Sequence, residues 1–552
     1  MGSNDEAVNG ARAVEELDVV VVGAGFAGLY MLHRLRGAGL SARVFEAGGG
    51  VGGTWYWNRY PGARCDVESL EYSYSFDEDL EQEWVWTERY AGQPEILRYL
   101  DHVADRFDLR RDITFDTRVT AGTWDETADR WLVTTDGSGA VAARFLVMAT
   151  GCLSSANVPD IEGIDRFQGE TFHTGRWPHE GVDLAGKRVG IIGNGSSGIQ
   201  AIPIIAEQAA HLTVFQRTAN YAVPARNGPL DADEMAAVKA DYRTLRERNR
   251  QMSAGFGGRG EPATETVPQV DPDERERRLE ERWERGGFGF LGAFTDTLLD
   301  PASNEVPAEF VRRKIASVVE DPEVAALLTP DQVIGCKRLC LDSGYFETFN
   351  RPDVRLVDIR SSPIAAITER GVRTADEEVE LDCIIFATGF DAMTGTLLRI
   401  DLRGRDGLTL TEAWDHGPKT FLGLGVPGFP NLFTISGPGS PSVLTNMVVS
   451  IEQHVDWITD CLEHLQANGV STIEATVEAT ERWVAHVNAV ADLTLFPTCN
   501  SWYLGANIPG KPRVFMPLPG FPPYAEHCAQ IAGDGYPGFT LTSREELLET
   551  AG

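Results

Sequence analysis

Two short glycine-rich turns carry the clearest chemistry in this sequence. Each follows the pattern G-x-G-x-x-G, directly after an apolar run and directly before a stretch that fits a helix. Glycines at these positions let the backbone approach a pyrophosphate, whose charge faces the N-terminus of the helix. A plain tight turn between strand and helix is the alternative. The residues that would contact such a ligand are Gly23, Gly25, Phe26 and Gly28 in the first turn and Gly193, Gly195, Ser196, Ser197 and Gly198 in the second.

The residue that ends the next strand differs between the two units. Glu46 ends it in the first unit, whereas Arg217 and Thr218 end it in the second. A carboxylate at this place accepts hydrogen bonds from a free ribose diol, and a guanidinium there can hold a 2′-phosphate. The first turn therefore predicts an FAD site and the second an NADPH site, unless Arg217 is only a surface residue at a strand end.

A basic pair, Lys337-Arg338, stands out in a very acidic chain. Lys+Arg number 49 and Asp+Glu 82, so the formal net charge is -33. Such a surface repels phosphate backbones and anionic membranes, so we expect neither nucleic acid nor a membrane as a partner. A basic pair in this setting indicates an anion site near the phosphates, although a solvated surface pair has the same pattern.

Two loops place aromatic side chains near these turns. Residues 52–66 read GGTWYWNRYPGARCD and are too rich in glycine, proline and aromatic residues for a helix or strand, so they predict a structured loop. Its rings would pack either on a flat cofactor or in an ordinary core. Residues 496–516 form a second long loop with Trp502, of the kind that can act as a lid.

Buried strands and amphipathic helices must position these residues. Residues 17–22, 145–148 and 383–386 are continuous apolar runs, which are typical of parallel strands buried on both faces. The last two runs are both followed by Ala-Thr-Gly. This repeated motif predicts that the chain returns to its first sheet near residue 382. The expected fold class is α/β, with two Rossmann-like dinucleotide-binding domains, for FAD and for NADPH, and a helical insertion.

The predicted division of the chain follows from these patterns. Residues 229–332 fit charged amphipathic helices at about 231–249, 271–285 and 308–319, whose apolar stripes serve packing. The segments are a disordered tail at 1–14, FAD-binding parts at 15–151 and 382–552, NADPH-binding parts at 152–228 and 333–381, and the helical insertion at 229–332.

The cysteines and the apolar runs indicate where the protein works. The chain has 8 cysteines, scattered and without a C-x-x-C pair. In a large chain this predicts reduced thiols, without a disulfide framework or a metal site. The N-terminal residues lack the segments of a signal peptide, and no apolar run approaches the roughly 18 residues of a membrane span. We expect a cytoplasmic protein that is a monomer or a weak homo-oligomer.

Three longer motifs carry a resemblance to a known family. Phe167, Gly169, His173 and Trp177-Pro178 match the fingerprint F-x-G-x-x-x-H-x-x-x-W-P of type I Baeyer–Villiger monooxygenases. Residues 52–66 match a second fingerprint of that family, and residues 382–389 match a third, D-x-x-x-F-A-T-G. The similarity extends from about residue 18 to about residue 542. The chain most resembles the ketone-oxidising branch that includes phenylacetone and cyclohexanone monooxygenases.

The resemblance implies an activity with FAD and NADPH as cofactors. In the family NADPH reduces FAD, and O2 adds to the flavin to give a C4a-peroxyflavin. This species attacks a ketone, and rearrangement inserts oxygen beside the carbonyl to form an ester or lactone. The implied partners are therefore a small hydrophobic ketone and O2, with sulfoxidation as a side activity. The oxygen species are negative, so a fixed guanidinium can stabilise them without losing its proton.

The resemblance also assigns roles to individual residues. Arg338 matches the catalytic arginine, and Asp66 matches the carboxylate that orients it and promotes flavin reduction. Lys337 and Arg217 match the 2′-phosphate contacts, and Trp502 matches the lid residue over NADP⁺. Thr54, Trp55 and Tyr72 are expected as further cofactor contacts. The expected substrate pocket consists of Cys65, Leu153, Phe433, Ser442, Val443, Leu444 and Met516.

His173 invites an acid–base role because it belongs to a fingerprint. It lies in the connector between the two dinucleotide units, however, and the family pattern implies a structural or conformational role. We therefore interpret His173 as a hydrogen-bonded hinge residue.

Two other functions stay open at this point. An N- or S-oxygenating flavin monooxygenase also has a connector with Phe, Gly and His, but it usually has Tyr or Phe in place of Trp177-Pro178 and lacks the loop that ends at Asp66. A non-catalytic flavin-binding redox sensor would oxidise NADPH no faster with O2 and a ketone than without them. A disulfide reductase is disfavoured because no C-x-x-C exists.

Overall fold

The computed structural model describes residues 14–137, 139–514 and 517–543, so the predicted tail lies outside the described residues except for Val14. The first sheet is built around Glu15–Val22, which leads into the first glycine turn and is parallel to both neighbouring strands. Its Val19, Val20 and Val21 are fully buried, as the apolar run predicts. In spatial order the strands are Asp401–Arg403, Val119–Asp125, Arg130–Thr135, Ala140–Met148, Glu15–Val22, Ala42–Phe45 and Ile113–Thr114, and Leu432–Thr434 also pairs with Ala140–Met148.

The second sheet is parallel throughout and is built around Arg188–Ile192, which leads into the second glycine turn. Parallel strands with helical crossovers are the expected surroundings of a dinucleotide turn, and the α/β class with two Rossmann-like sheets is confirmed. In spatial order its strands are Val354–Asp358, His211–Gln216, Arg188–Ile192, Cys383–Phe386 and Glu170–His173.

The expected return to the first sheet near residue 382 is wrong. Cys383–Phe386 pairs with Arg188–Ile192 and with Glu170–His173, so it belongs to the second sheet. The repeated Ala-Thr-Gly marks the same local position in two equivalent sheets and does not mark a return to one of them. The chain rejoins the first sheet later, at Asp401–Arg403 and Leu432–Thr434.

The other strands form smaller sheets, and the helices pack on both main sheets. The small sheets pair Ala222–Pro224 with Cys340–Asp342, Ile364–Ile367 with Gly371–Thr374 and Glu378–Glu380, and Val470–Ala475 with Phe539–Ser543. The α-helices are Phe26–Gly37, Thr54–Trp57, Glu78–Glu83, Gln93–Arg106, Ser196–Gln208, Ala232–Ala240, Tyr242–Gln251, Pro272–Arg285, Pro301–Val318, Pro322–Leu328, Tyr345–Thr348, Gly395–Leu398, Leu410–Ala413, Met447–Ala467, Val477–Asp492 and Phe521–Gly533. The 3-10 helices are Arg110–Asp112, Ile164–Arg166, Thr174–Arg176, Val267–Gln269, Phe288–Ala293, Arg405–Gly407, Ser442–Leu444, Phe496–Thr498 and Trp502–Leu504. Within the described ranges no helix is long and apolar enough to cross a membrane.

The helices predicted between residues 229 and 332 are present, with one break. The helix expected at about 231–249 is two helices, Ala232–Ala240 and Tyr242–Gln251. Asp241 separates them because its backbone is not helical (φ -145, ψ 52) and its carboxylate caps the second helix at the Thr244 amide. Charged patterns continue across such a break, so periodicity alone does not reveal it.

A disulfide joins Cys336 to Cys499, contrary to the expectation of reduced cysteines throughout. Their Cα atoms are 6.2 Å apart, and the two residues are separated by 163 positions in the sequence. Spacing along the chain cannot reveal such a pair, because only the fold brings it together. The other described cysteines are free and buried, at positions 65, 152, 340, 383, 461 and 528.

His454, on the helix Met447–Ala467, is fully buried and neutral. Its Nδ1 accepts a hydrogen bond from the Ser436 amide at 2.9 Å, and its Nε2 lies 2.8 Å from the Tyr524 hydroxyl. That hydroxyl donates to the Leu422 carbonyl, so the imidazole hydrogen sits on Nε2. A second proton would have to sit on Nδ1 against the Ser436 N–H. Burial accordingly lowers the pKa of His454 from 6.5 to about 3.

We predict that His454 makes the stability of the fold depend on pH. Below pH 6.5 the unfolded chain protonates this ring, whereas the folded chain does so only near pH 3. The free energy of unfolding therefore falls as pH decreases through this window, by up to about 1.4 kcal/mol per pH unit. Thermal unfolding at a series of pH values should show a flatter dependence for His454→Gln and no change for His416→Gln, whose side chain is 86% exposed. An unchanged slope in His454→Gln would contradict this assignment.

Candidate functional site

Both glycine turns open into one cleft of about 1670 Å³. The cleft lies at the carboxyl ends of the parallel strands, where open α/β sheets bind their ligands. Most of the predicted site residues line it, although they come from widely separated parts of the chain. They are Gly23, Gly25, Phe26, Glu46, Thr54, Trp55, Cys65, Asp66, Tyr72, Leu153, Gly193, Gly195, Ser196, Ser197, Arg217, Thr218, Lys337, Arg338, Val443 and Trp502.

The first turn fits a pyrophosphate. Gly23 has φ +103, and a Cβ there would lie 2.7 Å from the Ala149 carbonyl oxygen, so no larger residue fits. The helix Phe26–Gly37 begins after Gly25 without a side-chain cap, and its first amides are left for a ligand in the cleft. Gly28 does not line the cleft. A Cβ at Gly28 would lie 1.8 Å from the Gly23 carbonyl oxygen, so this glycine lets the helix pack on the turn.

The second turn repeats this geometry. Gly193 has φ +105, and a Cβ there would lie 2.6 Å from the Ala387 carbonyl oxygen. The helix Ser196–Gln208 begins after Gly195, again without a side-chain cap, and a Cβ on Gly195 would meet open space. Gly198 packs against the Gly193 carbonyl as Gly28 does in the first turn. The two Ala-Thr-Gly segments are thus the walls against which the two turns pack.

Glu46 is held at the edge of the first turn. Its two carboxylate oxygens accept hydrogen bonds from the amides of Ala24 and Gly48, both at 2.7 Å. Burial raises the pKa of Glu46, and these backbone donors oppose that effect. Each oxygen keeps a free lone pair, and the residue lines the cleft, so Glu46 can also accept a ribose hydroxyl.

Arg217 and Lys337 are neighbouring cations that form no ion pair with a carboxylate in the described part of the chain, although the charge of Asp331 acts on Lys337. Arg217 is exposed and directly follows the strand His211–Gln216, while Lys337 comes from the loop before Cys340–Asp342. Burial lowers the pKa of Lys337, and the neighbouring charge of Arg217 lowers it further. No ion pair joins either side chain to an acid among the residues that the structure describes, although the chain is strongly acidic. Such a pair is well suited to a phosphate.

Arg338 is fixed in the centre of the cleft. Its Nε and Nη2 donate to the two oxygens of Asp66 at 2.6 and 2.7 Å, and its Nη1 donates to the Val443 carbonyl at 2.8 Å. The ring of Phe288 faces the guanidinium at 4.8 Å. Burial by itself would lower the pKa of Arg338, but the charge and the hydrogen bonds of Asp66 outweigh it and raise that pKa. The group therefore stays a cation and keeps one orientation.

The lid loop meets Arg338 through a residue that the sequence did not point out. Trp502 lines the cleft, as predicted, and the next residue, Tyr503, is buried beside Arg338. Burial raises the pKa of Tyr503 to about 12, and the charge of Arg338 opposes this effect. The only available sign was its position next to Trp502. Tyr503 stays a neutral phenol that packs beside the guanidinium.

Three of the predicted pocket residues do not line the cleft, and a fourth lies outside the described residues. Phe433 is 1% exposed, and its ring lies 6.4 Å from that of Phe145 in the core of the first sheet. Ser442 is also fully buried, and its hydroxyl donates to the Ser436 carbonyl at 3.3 Å. Leu444 packs against the same core, and Met516 lies outside the described residues. Val443 lines the cleft and contributes its backbone carbonyl to Arg338.

His173 lies outside the cleft at the end of the edge strand Glu170–His173. Its Nδ1 accepts the Gly175 amide at 2.9 Å, and its Nε2 is 3.4 Å from the hydroxyl of Thr388. Burial lowers the pKa of His173, so the ring is neutral. These contacts fix the start of the connector against the second Ala-Thr-Gly segment, which fits a positioning role.

Within the described residues no group of three His, Cys, Asp or Glu side chains could hold a metal ion.

Comparisons with known proteins cover nearly the whole chain. A family model described as pyridine nucleotide-disulphide oxidoreductase matches residues 20–232. A Baeyer-Villiger monooxygenase from Pseudooceanicola batsensis is 46% identical over 528 residues, which cover 94% of this chain and 95% of that protein. An acetone monooxygenase (methyl acetate-forming) from Gordonia sp. is 44% identical over 95% of this chain and 99% of its own. The solved structure of an oxidized steroid monooxygenase bound to NADP has a TM-score of 0.91 and 55% identity, over 96% of this chain and 100% of that one.

Proposed function

Because the chain belongs to the Baeyer–Villiger monooxygenases, we propose that it converts hydrophobic ketones to esters or lactones with FAD, NADPH and O2 in this cleft. The observation that carries the proposal is the fixed cation at the centre. Arg338 is held by Asp66 and by the Val443 carbonyl, between two turns that each fit a dinucleotide. Bound FAD, once reduced by NADPH, supplies the activation of O2.

The two cofactors are assigned to the two turns. The free amides after Gly25 would hold the pyrophosphate of FAD, and Glu46 would accept its ribose hydroxyls. Thr54, Trp55 and Tyr72 line the adjoining part of the cleft and would contact the flavin. The amides after Gly195 would hold the pyrophosphate of NADPH, Arg217 and Lys337 would bind its 2′-phosphate, and Trp502 would cover it.

Arg338 acts on the charge that develops in the reaction. Addition of oxygen to a ketone places negative charge on the carbonyl oxygen, and a preorganised guanidinium stabilises this charge without giving up a proton. Asp66 holds the fork of Arg338 from one side and the Val443 carbonyl holds it from the other, so little reorganisation is needed. Closure of the lid by Trp502 and Tyr503 excludes water from the same space.

The ketone is proposed to lie between Arg338 and the apolar lining of the cleft. Cys65, Leu153 and Val443 contribute to this lining. Burial raises the pKa of the Cys65 thiol, and the charge of Asp66 raises it further, so this residue is an apolar contact and not a nucleophile. The lining therefore favours hydrophobic ketones without selecting cyclic, aryl or steroidal ones.

We predict that Arg217→Ala raises the KM for NADPH about tenfold or more, with little change in the KM for NADH. The guanidinium contacts only the 2′-phosphate, which NADH lacks, and a charge-assisted contact of this kind contributes about 1.5–3 kcal/mol. Steady-state kinetics with both coenzymes measure the difference. Arg243→Ala is the matched control, because Arg243 is an exposed arginine paired with Glu247 on the helix Tyr242–Gln251. Equal increases for both coenzymes would contradict the assignment.

Product analysis over a panel of ketones, amines and sulfides tests the proposed function. We expect esters or lactones from ketones, with the position of the inserted oxygen read from the product. Sulfoxides as minor products are compatible with this function. Only N-oxides and sulfoxides would favour the N- or S-oxygenating alternative, and NADPH oxidation that ignores every substrate would favour a redox sensor.

We also propose domain boundaries, a cellular location and an oligomeric state for the protein. We assign residues 15–151 to FAD binding, and residues from 152 to about 389, with a helical insertion at 229–332, to NADPH binding. The rest of the chain rejoins the FAD-binding part. We also propose a cytoplasmic location. The free buried thiols are typical of a reducing compartment, whereas the Cys336–Cys499 bond is typical of an oxidising one, so the cysteines do not decide the location. Light scattering after size-exclusion chromatography tests the proposed monomer or weak homo-oligomer, and a stable larger assembly would contradict it.

A further inference from the structure

A covalent bond fastens the lid loop to the segment that carries the central arginine. Cys336 lies just before Lys337 and Arg338, and Cys499 lies just before Trp502. The disulfide therefore joins the chain at the start of the arginine segment to the chain at the start of the lid. We infer that this bond is a strap that positions the lid relative to Arg338, an inference that rests on the proposed function.

The chain before each cysteine of the strap is hydrogen-bonded to residues 298–304 of the helical region. The side chain of Asn304 accepts from the Ile334 amide at 3.1 Å and donates to the Ile334 carbonyl at 3.0 Å, which fixes the chain before Cys336. The Leu495 amide donates to the Leu298 carbonyl at 2.9 Å, which fixes the chain before Cys499. Cys336 itself is fully buried. The strap thus attaches the first residues of the lid to a segment that is itself fixed against residues 298–304.

In the described part of the lid, the end away from Cys499 is held by non-covalent contacts that can open. Lys511 Nζ donates to Asp391 Oδ1 at 2.6 Å and to the Ala392 carbonyl at 2.7 Å. Asn507 donates to the Phe390 carbonyl at 2.8 Å. These partners directly follow the Ala-Thr-Gly wall of the second turn. The lid is therefore asymmetric, with a covalent attachment beside Arg338 and a polar latch beside the second turn.

This asymmetry determines how the lid opens. With the strap intact, breaking the polar latch lets the lid swing about its fixed base, and Trp502 and Tyr503 stay near their closed positions. Without the strap, the base is released as well, and the effective concentration of the lid at the cleft falls. The strap thus favours closure over NADP⁺ and excludes water from Arg338, while the shape of the cleft itself does not depend on it.

The bond can be opened and closed by ordinary thiol chemistry. A two-electron reductant breaks the S–S bond, and two electrons with two protons give two S–H groups. Hydrogen peroxide can reverse the step, because it accepts two electrons and two protons from the thiols, its O–O bond breaks, and two waters leave. A lid released by reduction is therefore fastened again under oxidising conditions.

The test compares the FAD-loaded enzyme as isolated, the same enzyme treated with a phosphine reductant, and the Cys336→Ser/Cys499→Ser double variant. We expect reduction to raise the Kd for NADP⁺ about fivefold or more and to speed chymotryptic cleavage beside Trp502 and Tyr503 to a similar extent. Ester formed per NADPH should fall, with hydrogen peroxide replacing it. The double variant should show the same values as the reduced enzyme and no further response to the reductant, which makes it the matched control.

Three results would overturn the strap. The first is two free thiols at Cys336 and Cys499 in peptide maps of unreduced, air-handled enzyme. The second is loss of the bond, by reductant or by substitution, without a change in the NADP⁺ Kd or in lid cleavage. The third is a reductant effect of equal size in the double variant. If the double variant does not fold, the effect of the reductant on the NADP⁺ Kd and on lid cleavage of the native enzyme decides between these outcomes. A different result would separate the two proposals. If no ketone gave an ester, but reduction still changed the NADP⁺ Kd and the cleavage of the lid, the proposed function would be contradicted and the strap would not.

Discussion

Arg338→Ala should abolish ester formation while flavin reduction by NADPH continues. The guanidinium is the cation that faces the developing oxygen charge, and alanine leaves Asp66 and the Val443 carbonyl without their donor. Removal of one such preorganised donor typically lowers turnover by about a hundred- to a thousandfold, and the loss of a full charge should reach at least the upper end of this range. Arg217 and Lys337 remain, so binding of NADPH should change little.

Two separate rates measure this prediction. Stopped-flow absorbance under anaerobic conditions gives the rate of flavin reduction, and product analysis under O2 gives the rate of ester formation. Arg338→Lys is the control, because it keeps a charge but cannot hold Asp66 with two parallel hydrogen bonds, and we expect intermediate activity. Ester formation by Arg338→Ala at more than a tenth of the native rate would remove Arg338 from the assigned role.

Asp66→Ala should impair both halves of the reaction and lower stability. It leaves the cation of Arg338 without its anion in a largely buried site, and the loss of one partner from a fully buried pair costs about 3–5 kcal/mol. The two side chains are 21% and 23% exposed, so we expect a smaller cost, of about 2 kcal/mol. An unheld guanidinium samples other orientations, so ester formation should fall about a hundredfold and flavin reduction about tenfold.

Thermal unfolding and the same two rates test this prediction. Asp108→Asn is the matched control, because it breaks an arginine–aspartate pair, with Arg111, whose side chains are 68% and 64% exposed. That pair should contribute less than about 1 kcal/mol and nothing to turnover. If Asp66→Ala formed ester at the native rate, the orientation of Arg338 would not depend on Asp66.

The geometry of the two glycine turns could be predicted from the sequence. A G-x-G-x-x-G turn requires its glycines because Gly23 and Gly193 each approach a neighbouring carbonyl oxygen too closely for a side chain. Glu46 and Arg217 follow from the same local pattern, since each ends the strand after its turn. The buried apolar runs and the two turns together correctly predicted the α/β class. These features depend on neighbours within one strand–turn–helix unit.

The central pair could be predicted only by resemblance. Arg338 and Asp66 are separated by 272 positions, and nothing in the residues alone brings them together. The bond between Cys336 and Cys499 spans 163 positions, and no resemblance pointed to it. Long-range contacts of this kind are decided by the packing of whole sheets, which no spacing rule captures.

Two further differences have separate physical causes. The segment at 383–386 was assigned to the wrong sheet because equivalent strands in two similar sheets have equivalent sequences. Phe433 was expected in the pocket, but its register opposite Val147 turns the ring into the core of the first sheet. A shift of one residue along a strand exchanges its two faces, so an apolar strand residue does not reveal which face it occupies.

Transfer of one oxygen atom from O2 into a ketone is the central claim, and isotopic labelling measures it most directly. The FAD-loaded enzyme is supplied with NADPH, a hydrophobic ketone and ¹⁸O2, and the product is examined by mass spectrometry. We predict an ester or lactone that carries one ¹⁸O atom as its ring or ester oxygen, formed in step with NADPH oxidation and lost in Arg338→Ala. Recovery of the ketone unchanged, with the label only in hydrogen peroxide, would contradict the claim.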